Sequence, residues 1–168
     1  MPENITESSV APFTHRRTIR FGETDAAAIV YTARFFEYAL DAIDAWYVEV
    51  VTVSLYSLNM EHNISCPFVH ASIDFKSALR PGDVLAVTVL VQKHGRSSLS
   101  FRVRGECSNG TLSFIGTFTL VFVDAAALRS IPIPAQISAR IKEYMDRCPE
   151  NTALADQSPC AEHSPSVQ

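Results

Sequence analysis

The chain has 168 residues, 47% of them hydrophobic and 19% charged, which is the composition of one folded globular domain and not of a disordered chain. Its 14 basic and 18 acidic side chains give a net charge of −4, without the basic excess expected of a nucleic-acid binder. No run of about 18 apolar residues is present, so no spanning helix is expected, and the opening MPENITESSVAPF lacks the pattern of a secretory signal.

Residues 1–12 are polar with two prolines and read as a flexible arm. The domain is expected over 13–147, and the Pro-, Ser- and Asn-rich stretch 148–168 as a disordered tail. The first strand is predicted at about 14–22, with Ile19 and Phe21 on one face and Thr18 and Arg20 on the other. Gly22-Glu23-Thr24-Asp25 then reads as a turn ending in a residue suited to an N-cap. From 29 to 48 the period is helical. Arg34, Glu37, Asp41 and Asp44 form one polar stripe, and nearly everything else is apolar. A helix with so narrow a polar face must be mostly buried.

A short helix is possible at about 52–59. After Pro67 the period becomes two, with Val69, Ala71, Ile73 and Phe75 alternating with His70, Ser72 and Asp74. Pro81-Gly82-Asp83 is a turn. The strand at about 84–93 is apolar on both faces, which suggests a central position. His94-Gly95-Arg96 turns the chain into an alternating strand at about 97–107. Asn109-Gly110 is a strong hairpin signal leading to a strand at about 111–123. A last helix, about 134–147, carries Ile137, Ile141 and Tyr144 on one side. The order β-α-β-β-β-β-α predicts an α+β fold. The four later strands form an antiparallel meander wrapped around the long helix. An open sheet edge invites a second copy, so at least a homodimer is expected.

The cysteines Cys66, Cys107, Cys148 and Cys160 have neither CxxC nor zinc spacing, and they read as reduced thiols of a cytoplasmic protein. The common P-loop, zincin, Rossmann and G-x-S-x-G motifs are absent. What remains is a carboxylate, Asp25, just ahead of a long helix. It can be a simple helix cap. It can also be a reactive group, kept ionised by the helix dipole beside first-turn amides able to polarise a carbonyl. Such a pair suffices for acyl transfer, with the carboxylate as nucleophile or as base for water.

The stretch F-G-E-T-D-A-A-A-I-V-Y at 21–31 resembles the signature of the hot-dog-fold thioesterases of the 4-hydroxybenzoyl-CoA thioesterase type, close to F-x-D-x-D-x-x-G-I-V-[YW]. Phe75 to Asp83 and Arg129 to Pro134 are similar to later segments of that family, so the resemblance covers about 14–145. It implies a hot-dog fold, a five-stranded antiparallel sheet wrapped around a central helix. It also implies hydrolysis of an acyl-CoA to a free acid and CoA, at a site on a dimer interface, with many members pairing again into tetramers. Asp25 matches the catalytic aspartate. The backbone N–H groups of Tyr31 and Thr32 would form the oxyanion site. Phe36, Leu40, Ile43 and Tyr47 would line the acyl pocket. Lys93, His94, Arg96, Ser97 and Ser98 would bind CoA. No metal or cofactor is called for, CoA entering as part of substrate and product.

Two positions depart from the pattern. Ala26 stands where proline is frequent, and Ala28 where the family has glycine. If that backbone needs a positive φ, alanine costs on the order of 1 kcal/mol. Leu40 aligns with a position where a carboxylate can meet a hydroxybenzoyl phenol. An unpaired buried phenol is costly, so an unsubstituted or differently substituted aromatic acyl group, or a medium aliphatic one, is expected. A hydratase on this fold would need a histidine near the helix, and none lies within 23–47. A non-catalytic acyl-CoA-binding protein and a thioesterase for acyl-carrier protein are the other readings.

Overall fold

The computed structural model of the chain describes residues 11–148. The arm and tail expected at 1–12 and 148–168 therefore fall almost wholly outside the described residues, as does Cys160. Strand β1 (Thr14–Thr18) leads through a short 3-10 turn at Phe21–Glu23 to helix α1 (Thr32–Trp46). The helix continues as one π-helical turn, Tyr47–Val51, which ends at Thr52 in the left-handed region (φ 65°). Helix α2 (Leu55–His62) and the short strand β2 (Ile64–Ser65) follow. Then come β3 (Phe68–Phe75), β4 (Val84–His94), β5 (Ser98–Cys107), β6 (Leu112–Val121), the short β7 (Val123–Asp124) and α3 (Ala135–Arg147).

The main sheet has the order β1-β4-β5-β6-β3, antiparallel throughout, and β2 pairs with β7 in a separate ribbon. Only β4, β5 and β6 form a meander. The expected four-stranded meander is corrected at β3, which crosses over to pair with β6 instead of β4. Gly116 permits the close approach. A Cβ there would sit 2.9 Å from the Ser72 carbonyl oxygen on β3 and 2.7 Å from the Phe118 ring. As an edge strand β3 exposes both faces, Val69 and Phe75 included.

The alternation of β4, β5 and β6 turns Leu85, Val87, Val89, Val91, Leu99, Phe101, Val103, Phe114, Phe118 and Leu120 inward. Against them α1 lays Phe35, Tyr38, Ala39, Ala42, Ile43 and Trp46. The polar stripe of α1 faces outward, as its spacing requires. Each fully buried large apolar side chain contributes about 1.5–3 kcal/mol, so this contact is the main support of the fold. Helix α3 is tied across the sheet by Tyr144. Its hydroxyl donates to the Val89 carbonyl (2.7 Å) and accepts the Phe13 N–H (3.0 Å). The Asn109-Gly110 hairpin forms as expected, with Gly110 at φ 83°. Cys66 and Cys107 are free thiols.

Candidate active site

The segment between β1 and α1 is a closed loop. Thr24 and Val30 make an antiparallel bridge, and the Asp25 N–H donates to the Ile29 carbonyl at 2.9 Å. The Val30 N–H reaches the Leu79 carbonyl (2.9 Å), which pins the loop to the entrance of β4. Asp25 is exposed at the head of the loop. Its Oδ1 accepts the Ala27 N–H at 2.8 Å in an Asx turn, leaving the other carboxylate oxygen towards solvent.

Asp25 is not the N-cap of α1. That position is Tyr31, and the five residues 25–29 are spent on the loop. Ala28 stands at φ 55°, so the departure from the family's glycine falls at a left-handed position. The cost of about 1 kcal/mol therefore applies. Phe21, expected to share the inner face with Ile19, is 82% exposed, because the 3-10 turn ends the strand before it.

The two amides of the expected oxyanion site differ. The Tyr31 N–H is already donated to the Glu23 carbonyl at 3.1 Å, so it is removed from the candidate set. Thr32 and Ala33 are the first two helical residues and are exposed. Among the described residues their N–H groups meet no backbone acceptor, as the first turn of a helix dictates.

Around this loop lies a charged cluster that local sequence patterns did not single out. The Arg17 guanidinium pairs with Glu23 Oε1 and with Asp41 Oδ2 of α1 (3.1 Å), and it lies 4.0 Å over the Tyr38 ring. The signal was long-range: Arg17 and Glu23 flank the strand end, and Asp41 is three turns into the helix. Burial, then the Glu23 carboxylate, push the Tyr38 hydroxyl up to about 12.

The residues expected to line the acyl pocket differ in burial. Phe36 is half-buried, edge-on to Phe118 (6.2 Å), and Leu40 is 37% exposed. Ile43 and Tyr47 are fully buried in the core. Tyr47 stacks edge-on against Trp46 (5.2 Å), and burial raises its hydroxyl well above the ordinary range. A cleft of about 1380 Å³ lies elsewhere, between α2 and α3, lined in part by Val51, Leu58, Ile137 and Arg140.

The residues expected to bind CoA sit at and around the turn between β4 and β5. Lys93 and Arg96 are exposed there. His94 is not a free ligand: its Nε2 meets Ser138 Oγ of α3 at 3.2 Å, and burial, then the Lys142 cation, lower its pKa. The carbonyls of Arg96 and Ser97 accept the Ile133 and Phe122 N–H groups (2.8 Å each), so the turn is anchored by its backbone. The Asp25 loop is joined to the Leu79–Asp83 end of β4 and this turn to the other. Eleven residues of strand separate them, or about 35 Å at ~3.3 Å per residue.

The fold is the hot-dog thioesterase fold. A thioesterase superfamily protein from Jannaschia sp. CCS1 superposes with a TM-score of 0.74 at 33% identity, covering 85% of this chain and 96% of that one. A 1,4-dihydroxy-2-naphthoyl-CoA thioesterase from Synechocystis superposes with a TM-score of 0.73 at 22% identity, covering 79% of this chain and 97% of that one. The chain belongs to the thioesterase-like superfamily, whose family model matches residues 19–141. Curated relatives include the 1,4-dihydroxy-2-naphthoyl-CoA hydrolase of Nostoc punctiforme, 35% identical over 83 residues. The match covers 49% of this chain and 55% of that relative. The enzyme of the same name from Synechococcus elongatus is 27% identical over 76% of this chain and 93% of its own length.

Proposed function

We propose that the chain is an acyl-CoA thioesterase acting on an aromatic acyl group, with Asp25 as the reacting carboxylate. The observation that carries this reading is the loop geometry. An exposed carboxylate is fixed by its own Asx turn in the loop that leads into α1, whose first-turn amides at Thr32 and Ala33 meet no backbone acceptor among the described residues. Thr32 N–H, with Ala33 beside it, receives the thioester oxygen as it becomes an oxyanion. Asp25 either attacks the carbonyl carbon, expelling CoA thiolate and leaving a mixed anhydride that water hydrolyses to the acid, or takes a proton from the water that attacks; in both cases water supplies the proton that ends on the CoA sulfur. No metal or cofactor takes part.

The active unit is at least a homodimer. Among the described residues β1 and β3 are the edges of the main sheet, and Phe21, Tyr31 and Phe75 are apolar and exposed (82%, 60% and 48%). With Phe36 and Leu40 they offer surface for a partner and for the acyl group. The separation of about 35 Å along β4 favours a site that takes Asp25 from one subunit and the Lys93/Arg96 turn from the other. An aromatic acyl group is supported by the names of the relatives, 1,4-dihydroxy-2-naphthoyl-CoA hydrolases, and by a likeness in fold to a gentisyl-coenzyme A thioesterase.

The test is hydrolysis of benzoyl-, 4-hydroxybenzoyl-, gentisyl-, 1,4-dihydroxy-2-naphthoyl- and medium-chain aliphatic CoA by the wild type and Asp25→Asn. Aromatic substrates should lead, and the variant should lose most turnover. An aliphatic preference overturns the substrate class. An active, folded Asp25→Asn overturns the role of Asp25. Tight CoA-ester binding without hydrolysis by the wild type would make the chain a binding protein.

A further inference from the structure

The loop that presents Asp25 has little apolar anchorage of its own, since residues 25–28 are all exposed. One residue, Glu23, holds it at three points. Glu23 Oε1 accepts from the Arg17 guanidinium, and Oε2 accepts the Arg20 N–H at 2.7 Å. Its carbonyl oxygen accepts the Tyr31 N–H at 3.1 Å, at the far end of the loop where α1 begins. Arg17 carries the connection onward, to Asp41 on α1 at 3.1 Å and over the Tyr38 ring at 4.0 Å. The Arg17 and Glu23 side chains are 21% and 14% exposed, so this pair is better shielded than an ordinary surface ion pair.

We propose that Glu23 is a positioning residue: together with Arg17 it fixes the Asp25 loop against β1 and the first turn of α1. The inference rests on the reading of Asp25 as the reacting group. The Tyr31 N–H is held by the Glu23 main chain and stays so in any substitution; the Glu23 side chain ties that main chain to Arg17 and the Arg20 N–H, so its loss lets the loop and the first turn of α1 shift against β1. Small misplacements of reacting groups cost disproportionately in rate.

Glu23→Gln is the discriminating variant. Glutamine offers one acceptor oxygen where two donors must be met, so either Arg17 or the Arg20 N–H faces an NH2 group. The expected result is a kcat about tenfold lower, in keeping with a displaced reacting group, with KM and the thermal midpoint little changed. Glu23→Asp, which keeps the charge, should recover most of the rate. Amide hydrogen exchange should rise in residues 20–31 and stay unchanged in β4–β6. Arg17→Lys, which keeps the charge but not the fork that spans Glu23 and Asp41, should act in the same direction.

A Gln variant with wild-type kcat and wild-type exchange in 20–31 overturns the proposal. So does a rate loss that comes with a general rise in exchange and that Glu23→Asp does not recover. Asp25→Asn run in parallel separates the two readings. If that variant stays active, Asp25 is not the reacting group, while exchange in 20–31 still reports whether Glu23 holds the loop.

Discussion

The two ends of helix α1 are built from different materials. At its C-terminal end Trp46 and Tyr47 are fully buried, edge-on to Phe101 at 5.1 and 6.2 Å, with Tyr144 5.4 Å from Trp46. Among the described residues, neither the Trp46 indole nitrogen nor the Tyr47 hydroxyl has a hydrogen-bond partner, a polar cost accepted for aromatic packing. At its N-terminal end Tyr31, Thr32 and Ala33 are exposed, and the loop before them is held by backbone hydrogen bonds and one ion-pair cluster. One helix thus carries stability at one end and, in the proposed function, chemistry at the other. Changes at the two ends should therefore separate cleanly.

The largest effect is expected at the N-terminal end. Asp25→Asn should lower hydrolysis by about 10²–10⁴-fold and leave the thermal midpoint in place, because the side chain is exposed and asparagine can still accept the Ala27 N–H. A large drop in midpoint would break the separation. The converse is Phe101→Ala, at the sealed end, which should cost about 3–5 kcal/mol in urea unfolding. Its turnover per folded molecule should change little. Arg96→Ala, in the β4–β5 turn, should raise KM several-fold with kcat nearly unchanged, and the effect should shrink in high salt.

Ala28→Gly relieves the left-handed alanine and should stabilise the fold by up to about 1 kcal/mol. Equal or higher turnover would show that the strain serves no catalytic purpose. The smallest effect concerns pH. His94 holds its proton less tightly in the fold than in the unfolded chain, whose value is about 6.5. Its contribution to stability is full above that pH and declines as pH falls towards the lower folded value, since the unfolded chain then binds the extra proton. His94→Gln should flatten that decline, as followed by thermal midpoints across the acid range.

Much of the frame was legible because it is local. The Arg34, Glu37, Asp41 and Asp44 stripe defined the outer face of α1, and Asn109-Gly110 defined the β5–β6 hairpin. The partner of β3 was not legible, because its pairing with β6 spans a long stretch of chain and depends on Gly116 admitting a neighbouring backbone. The motif around Asp25 was readable as a pattern, but its geometry was not. Residue types suggested a helix cap, whereas a five-residue loop separates Asp25 from the N-cap Tyr31. The Arg17–Glu23–Asp41 cluster joins three elements, and no periodicity in one of them could reveal it.

The length of β4 has a genetic consequence. In the proposed dimer, a chain carrying Asp25→Asn and a chain carrying Arg96→Ala are defective at different ends of the same strand. When they associate, one composite site receives both altered residues and the other receives neither. Two impaired alleles expressed together should then restore one working site per mixed dimer. Either allele alone yields none that is intact, so at substrate levels well below KM the mixed dimer would outperform both parents, a complementation between alleles of a single gene.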